Sequence, residues 1–259
     1  MKQSKLPRLV MPAALLCGLI GAALRIYQFT ACMEEDGLVR VGSPILYLEL
    51  GFTVLMLLLL GILCGGLNKT LGGERNFYAG PGYLFFQLIG AVCVFYGAMQ
   101  RLIGGEGTFL FICGMEAALC LAAAALLYGR QSKVVFWLLI LSCLYFGGQL
   151  IFDFRRWSTD PLVIHFCFRL LAHVTGMLGL LHLASFPLSV GRKRLTIFWI
   201  VCAVAFTLML IPDYLIGHTL TLGELMIPLG LTIWLASHGL CLLRPAVQNE
   251  RAAAAENNE

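Results

Sequence analysis

Eight long apolar stretches, separated by short polar connections, constrain this chain more than any other feature. They cover residues 9–28, 45–67, 81–103, 108–128, 134–153, 162–187, 195–212 and 220–243. Each holds about the twenty apolar residues that an α-helix needs to cross a hydrocarbon core roughly 30 Å thick. Charged residues make up 12% of the chain, whereas an ordinary soluble domain has about a quarter. The sequence therefore excludes a soluble domain, a disordered chain and a basic nucleic-acid-binding protein.

The stretches are predicted to be helices rather than the strands of a membrane barrel. Residues 54–60 and 119–127 are apolar on every face, whereas barrel strands alternate between apolar and polar side chains. Seven of the nine prolines flank the stretches or stand at an end position of one, and only Pro12 and Pro228 lie in the interior of a stretch. The predicted fold class is therefore all-α, a polytopic membrane bundle of eight transmembrane helices.

The chain also resembles two copies of one unit. A glycine-basic connection precedes the third helix of each half, at residues 72–75 and 191–194. Because each unit has an even number of helices, the two would be parallel, related by an axis along the membrane normal. The predicted organisation is a first four-helix unit at residues 1–128, a second at 129–243 and a cytoplasmic tail at 244–259.

The distribution of basic residues predicts the orientation. Twelve Lys and Arg residues lie at the N-terminus, in alternate connections and in the tail, whereas the other four connections hold only Arg40, Arg155 and Arg156. Short cytoplasmic loops carry the excess of basic residues, so both termini are predicted to be cytoplasmic. In the alternative that the first stretch is a signal peptide cleaved near Cys32, the other seven helices keep this orientation.

Seven charged residues fall within the stretches, and all lie in the outer half of the membrane or at its rim under this orientation. Glu49, Glu116, Arg169 and Glu224 lie within the second, fourth, sixth and eighth helices, and Arg25, Arg101 and Asp153 close the outer ends of the first, third and fifth. A charge within hydrocarbon is costly and normally faces the bundle interior or water. The placement predicts a polar cavity that opens to the extracytoplasmic side.

The sixth helix carries the densest polar set. His165, Arg169 and His173 are spaced by four residues, so they share one helix face. Two imidazoles beside a guanidinium suit an anion, such as a carboxylate or a phosphate headgroup. The candidate ligand-binding residues are Arg169, His173, His165, Glu116, Glu49 and Glu224.

A structural role for the same charges is the alternative. Any of the three glutamates would neutralise Arg169 within a packed bundle. At the rim, Arg25 and Arg101 of the first half would pair with Asp153 and Asp213 of the second half and hold the halves together. The sequence leaves both the ligand-binding and the structural interpretation open.

Motifs for enzyme chemistry are weak in this sequence. The chain has ten cysteines but no Cys-x-x-Cys pair, and its histidines lack the spacing of metal ligands, so we expect no metal and no cofactor. Glu34 and Glu35 with Arg40 only faintly resemble the paired-glutamate motif of intramembrane CAAX-processing proteases, because the spacing to arginine differs. No catalytic residue is assigned, and enzyme is the least supported class.

Several short patterns resemble a group of uncharacterised multi-spanning membrane proteins of anaerobic Gram-positive bacteria. They are Leu24-Arg25-Ile26-Tyr27-Gln28-Phe29-Thr30, Asp36-Gly37-Leu38, Gly42-Ser43-Pro44, Gly191-Arg192-Lys193-Arg194-Leu195-Thr196 and the polar outer end near Asp213. The resemblance covers most of the chain and implies a multi-pass topology in a single plasma membrane. It implies no activity and no catalytic residue.

Three functions follow from these observations. The favoured one is a small-solute transporter or ligand-binding membrane protein that takes a small anionic or carboxylate-containing solute. The alternatives are a non-catalytic accessory subunit or sensor, working with a membrane or ATPase partner protein, and an intramembrane lipid-modifying enzyme. The lipid bilayer is a partner in all three, and nucleic acid in none.

Overall fold

The protein is an all-helical bundle. The computed structural model describes residues 6–34, 39–40, 42–67, 81–105, 107–128, 133–158, 163–217 and 219–243, and leaves the side chains of residues 157 and 163–165 undescribed. The α-helices of these segments are α1 (Leu6–Tyr27), α2 (Ile45–Gly65), α3 (Pro81–Ile103), α4 (Thr108–Leu127), α5 (Lys133–Trp157), α6 (Val163–Ala184), α7 (Lys193–Met209), α8 (Ile211–Leu215) and α9 (Leu222–Leu243). Eight spans are long and apolar enough to cross a membrane, and the seventh comprises α7 together with the short α8. The predicted fold class and helix number are confirmed.

The observed helix ends lie close to the predicted ones, because proline marks several of them. Pro81 is the first residue of α3, and Pro44 directly precedes α2. The seventh stretch differs from the prediction: α7 ends at Met209, and Pro212 lies in the separate short helix α8. A proline is tolerated in the first turn of a helix, where its missing N–H is not needed, and it disfavours a continuous helix.

Glycines allow a close contact between the antiparallel helices α3 and α9. A Cβ atom added to Gly90 would lie 2.6 Å from the carbonyl oxygen of Gly230, and one added to Gly97 would lie 2.8 Å from that of Gly223. Residues larger than glycine would therefore push these backbones apart. We call Gly90, Gly97, Gly223 and Gly230 the glycine seam.

Small residues elsewhere in the bundle do not all lie at close helix contacts. Gly61 and Gly65 of α2 are not at a tight contact. A Cβ atom added to Gly61 would lie 3.8 Å from Phe198, and one added to Gly65 would have no neighbour within 4 Å. The alanine-rich part of α4 does turn inward, with Ala124 and Ala125 buried. Small residues mark close helix contacts only where their helix face turns toward a neighbour.

The helices alternate in direction, so α1, α3, α5 and α7 end where α2, α4, α6 and α9 begin. This end of the bundle, which we call the charged end, holds every buried charged side chain of the described residues. α1 packs on α7 and α3 packs on α9, so residues before and after 128 share one bundle. The internal repeat stays a prediction, and the predicted tail at 244–259 lies outside the described residues.

Candidate functional site

Four helices each contribute one charged side chain to a buried network at the charged end. It consists of Arg101 on α3, Asp153 on α5, Arg169 on α6 and Glu224 on α9, and we call it the Arg169 cluster. Arg169 donates through Nη1 to Glu224 Oε1 at 2.9 Å and through Nη2 to Asp153 Oδ2 at 3.0 Å. Asp153 Oδ1 accepts from Arg101 Nη2 at 3.0 Å. Two arginines and two carboxylates thus cancel each other's charge.

The local sequence at the start of α9 fixes the orientation of Glu224. Thr221 and Glu224 form a capping box, a pattern in which a Thr and a Glu three residues later satisfy each other's backbone N–H groups. Glu224 Oε2 accepts from the Thr221 backbone N–H at 2.7 Å, and Thr221 Oγ1 accepts from the Glu224 N–H at 3.3 Å. Both carboxylate oxygens of Glu224 are therefore engaged, one by the helix start and one by Arg169.

A second buried network, the Arg25 cluster, joins α1, α2 and α8. Arg25 binds both carboxylate oxygens of Asp213, with Nε 2.9 Å from Oδ1 and Nη2 3.0 Å from Oδ2. Its Nη1 donates to Gln28 Oε1 and lies 3.8 Å from Glu49 Oε2. Such a bidentate pair is the strongest form of arginine–carboxylate contact. Arg25 therefore pairs closely with Asp213 and makes only a longer ionic contact with Glu49.

Aromatic rings and a π-helical turn surround Arg25. The chain continues from α1 into a π-helix at Gln28–Cys32, a geometry that is frequent at functional sites. The Arg25 guanidinium carbon lies 4.8 Å from the ring centre of Phe29 and 5.1 Å from that of Phe168. These cation–π contacts shield the charge from hydrocarbon. Phe168 precedes Arg169, so α6 contacts both clusters.

One nitrogen of Arg169 itself and one of the neighbouring His173 lack a hydrogen-bond partner among the described residues. His173 Nδ1 lies 2.9 Å from the backbone oxygen of Arg169, and because a carbonyl only accepts, Nδ1 carries the proton. His173 Nε2 and Arg169 Nε are buried without a hydrogen-bond partner. A buried polar atom normally has a partner, so these two atoms are the site's available polar groups.

The structure brings together part of the predicted ligand-binding set. Arg169, His173 and Glu224 lie in one neighbourhood, and Glu49 lies in the adjacent Arg25 cluster. Glu116 belongs to neither cluster, because it is exposed on α4. The side chain of His165 lies outside the described residues.

The ion pairs proposed from the sequence as the structural alternative are present. Arg25 pairs with Asp213 and Arg101 pairs with Asp153, and both arginines lie in the first half of the chain and both aspartates in the second. Arg169 pairs with Glu224, one of its three candidate partners. Asp153 also binds Arg169, a bridging role that the sequence analysis missed. The sequence signal for this bridging role was the position of Asp153 four residues after Gln149, at a helix end rich in polar groups.

A neutral polar group lies toward the opposite end of the bundle and was also missed. Gln87 Nε2 lies 3.3 Å from His238 Nδ1, and the His238 ring packs on the rings of Trp234 and Tyr128. Tyr128 donates to the backbone oxygen of Leu183 at 2.9 Å. None of the four residues of this group is Lys, Arg, Asp or Glu, which distinguishes it from the charged end.

Within the described segments, no group of three or more His, Cys, Asp or Glu residues is placed to hold a metal ion. No protein-family model matches this chain, and neither a curated protein nor a solved structure is detectably similar to it. The class that the fold defines is therefore an integral, multi-pass membrane protein with paired charges buried at one end.

Proposed function

We propose that this protein is a small-solute transporter or ligand-binding membrane protein whose binding site lies at the charged end. The observation that carries the proposal is the burial there of seven charged side chains: Arg25, Glu49, Arg101, Asp153, Arg169, Asp213 and Glu224. Ionisable groups at membrane depth are expensive and are typical of substrate and ion pathways. Apolar side chains would build an equally compact bundle without that cost.

The Arg169 cluster offers a way to bind an anionic solute. Arg169 holds two carboxylates, so a solute carboxylate or phosphate would take the place of Asp153 or Glu224 on the same guanidinium. Arg169 Nε would donate a further hydrogen bond to the anion, because it is buried without a hydrogen-bond partner. His173 Nε2 carries a lone pair while Nδ1 holds the proton, so it would accept a hydrogen bond from a solute hydroxyl, such as that of monohydrogen phosphate. Binding would then loosen the links between α6 and its neighbours α5 and α9, which is how a ligand would open this end.

The sidedness of the site follows from the basic connections of the sequence. With both termini cytoplasmic, the charged end faces the extracytoplasmic side, and the resemblance described above favours the plasma membrane as its location. Solute would therefore reach Arg169 from outside the cell.

Cysteine accessibility tests this proposal. In a variant without the ten native thiols, His173→Cys should react with an impermeant thiol reagent added to intact cells. Ser237→Cys is the matched control, because Ser237 is equally buried but lies on α9 toward the opposite end. Acetate or inorganic phosphate should slow the reaction at position 173, and Arg169→Gln should remove that protection. Absence of reaction at position 173, or protection by neither anion, would refute an anion site open to the outside.

A second candidate function, that of an accessory subunit, is favoured by Glu116. This residue lies about 12 Å along α4 from its start at the charged end, at eight residues of 1.5 Å each, which is near the middle of the membrane. Its side chain is exposed, in line with the exposed Phe109, Ile112 and Leu119. A carboxyl facing hydrocarbon is unfavourable, so a basic side chain on a partner's transmembrane helix would complement it.

A designed helix tests this surface. A leucine–alanine transmembrane helix with one central lysine should co-purify with the wild-type protein, and Glu116→Leu should abolish that association. The same helix with a central leucine is the control. Equal recovery of both designed helices would rule out recognition by Glu116. Efficient crosslinking of two Ile112→Cys copies would instead identify a second copy of this chain as the occupant.

A further inference from the structure

The two ion clusters differ in their charge balance. The Arg169 cluster has two arginines and two carboxylates, whereas the Arg25 cluster has one arginine and two carboxyl groups, Asp213 and Glu49. All of these side chains are at least nine-tenths buried. If every group in the Arg25 cluster were ionised, one negative charge would lack a counter-charge within it.

Geometry identifies Glu49 as the surplus group. Both oxygens of Asp213 accept hydrogen bonds from Arg25, at 2.9 and 3.0 Å. The closest arginine nitrogen to Glu49 is 3.8 Å away, beyond hydrogen-bond distance, and that nitrogen already donates to Gln28. Glu49 Oε1 has no hydrogen-bond partner among the described residues.

Within the part of the chain that the structure describes, no second cation acts on Glu49. α2 packs against α1 and α7, and the charged groups that act on Glu49 are Arg25 from α1 and Asp213 from α8. Asp213 repels a negative charge on Glu49, and the Arg25 charge is already matched by Asp213. A buried carboxyl group without its own counter-charge takes up a proton instead of remaining ionised.

We propose that Glu49 is a proton-binding site, occupied by an exchangeable proton at neutral pH. In the protonated state, the Glu49 carboxylic acid is neutral and the Arg25–Asp213 pair is undisturbed. Release of the proton leaves a carboxylate that competes with Asp213 for Arg25, and thereby weakens the link between α1 and α8. A coupling of proton release to solute binding would rest on the proposed function. The protonation of Glu49 depends only on the Arg25 cluster.

Infrared difference spectroscopy tests the proton directly in the full-length protein. The spectrum of the wild type minus that of Glu49→Gln at neutral pH should contain the C=O band of a protonated carboxyl group and no carboxylate bands. In D₂O this band should shift to lower frequency, because the proton exchanges. Glu49→Gln mimics the neutral acid in size and hydrogen bonding, so the variant should fold normally. Glu224→Gln is the matched control and should lose carboxylate bands instead.

Loss of carboxylate bands on Glu49→Gln, as for Glu224→Gln, would overturn the proposal, and so would a protonated band that does not shift in D₂O. The result is separate from the thiol-accessibility test. If position 173 is inaccessible but the acid band is lost on Glu49→Gln, the proposed function fails and the proton site stands. If position 173 is accessible and protected by anions but Glu49 is ionised, only the proton site fails.

Discussion

The Arg169 cluster and the Arg25 cluster lie at the same end of one bundle, but they differ in how their buried carboxyl groups are neutralised. In the Arg169 cluster each carboxylate accepts from at least one arginine within 3.0 Å. In the Arg25 cluster, Asp213 has two such contacts and Glu49 has none. The first arrangement fixes four helices against each other. The second leaves one carboxyl group, that of Glu49, without a short contact to an arginine.

The largest expected effect comes from removing the bridging carboxylate of the Arg169 cluster. Asp153→Leu leaves Arg101 and Arg169 facing a single carboxylate, and an arginine in a protein does not lose its proton. Breaking a buried pair in this way costs about 3–5 kcal/mol. We expect little folded protein in membranes, measured by size-exclusion chromatography and thermal unfolding in detergent. Glu116→Leu, at an exposed position, should stay near wild-type stability. An equally stable Asp153→Leu would show that the cluster is not a structural link.

Removing an arginine from the same cluster should be less damaging, because the carboxylate left behind can be protonated. Arg169→Met is expected to lower the free energy of unfolding by on the order of 3 kcal/mol. Adding Glu224→Leu leaves one arginine and one carboxylate, Arg101 and Asp153, and should recover most of the loss. The measurement is unfolding by SDS titration in mixed micelles. A double variant less stable than Arg169→Met would contradict charge balance as the organising feature.

The glycine seam brings α3 and α9 together and thereby places Arg101 and Glu224 in one cluster. Gly97→Ala would put a Cβ atom 2.7 Å from Ile227 Cγ1 and 2.8 Å from the Gly223 oxygen. Overpacking of this kind costs about 1–3 kcal/mol. Gly65→Ala is the control, since nothing lies within 4 Å of an added Cβ there, and it should not destabilise the protein. Equal melting temperatures for the two variants would argue against a close α3–α9 contact.

The smallest effect is expected at Glu49, and it separates the two clusters most clearly. Glu49→Gln replaces a neutral acid with a neutral amide and should change the free energy of unfolding by less than about 0.5 kcal/mol at neutral pH. Glu224→Gln removes a charge that Arg169 needs and should cost about 1–3 kcal/mol. Unfolding in detergent compares the two. A larger loss for Glu49→Gln would mean that Glu49 is the ionised partner of Arg25.

The fold could be predicted from the sequence because apolar length alone identifies a transmembrane helix and proline marks its ends. Pairing of Arg25 and Arg101 in the first half with Asp153 and Asp213 in the second could also be predicted, since buried charges require partners, but the sequence did not assign which arginine binds which aspartate. The placement of Glu116 could not. A helix that is apolar on every face contains no periodic signal for the side that turns inward. The sequence therefore shows how deep in the membrane an acidic residue of such a helix lies, but not whether its side chain faces the bundle or the lipid.

The choice of partner for each charge was equally hidden. Nothing in the spacing of helix six distinguishes Glu224 from Glu49 as the partner of Arg169, because the choice depends on which helices are neighbours. The packing of α6 on α9, with Gly176 against Leu231, brings Arg169 close to Glu224, and the capping box at Thr221 fixes the orientation of Glu224. The glycine and the capping box are both visible in the sequence, but their consequence requires the helix arrangement.

The most direct measurement of the charge balance in the Arg25 cluster is a pair of double-mutant cycles on Arg25. Arg25→Met is combined with Asp213→Leu in one cycle and with Glu49→Gln in the other, and free energies of unfolding are measured by SDS titration. The structure predicts a coupling of at least about 1 kcal/mol for Arg25 with Asp213 and one several-fold smaller for Arg25 with Glu49. Equal couplings, or a larger one for Glu49, would contradict the assignment of a single neutralised pair and a surplus carboxyl group.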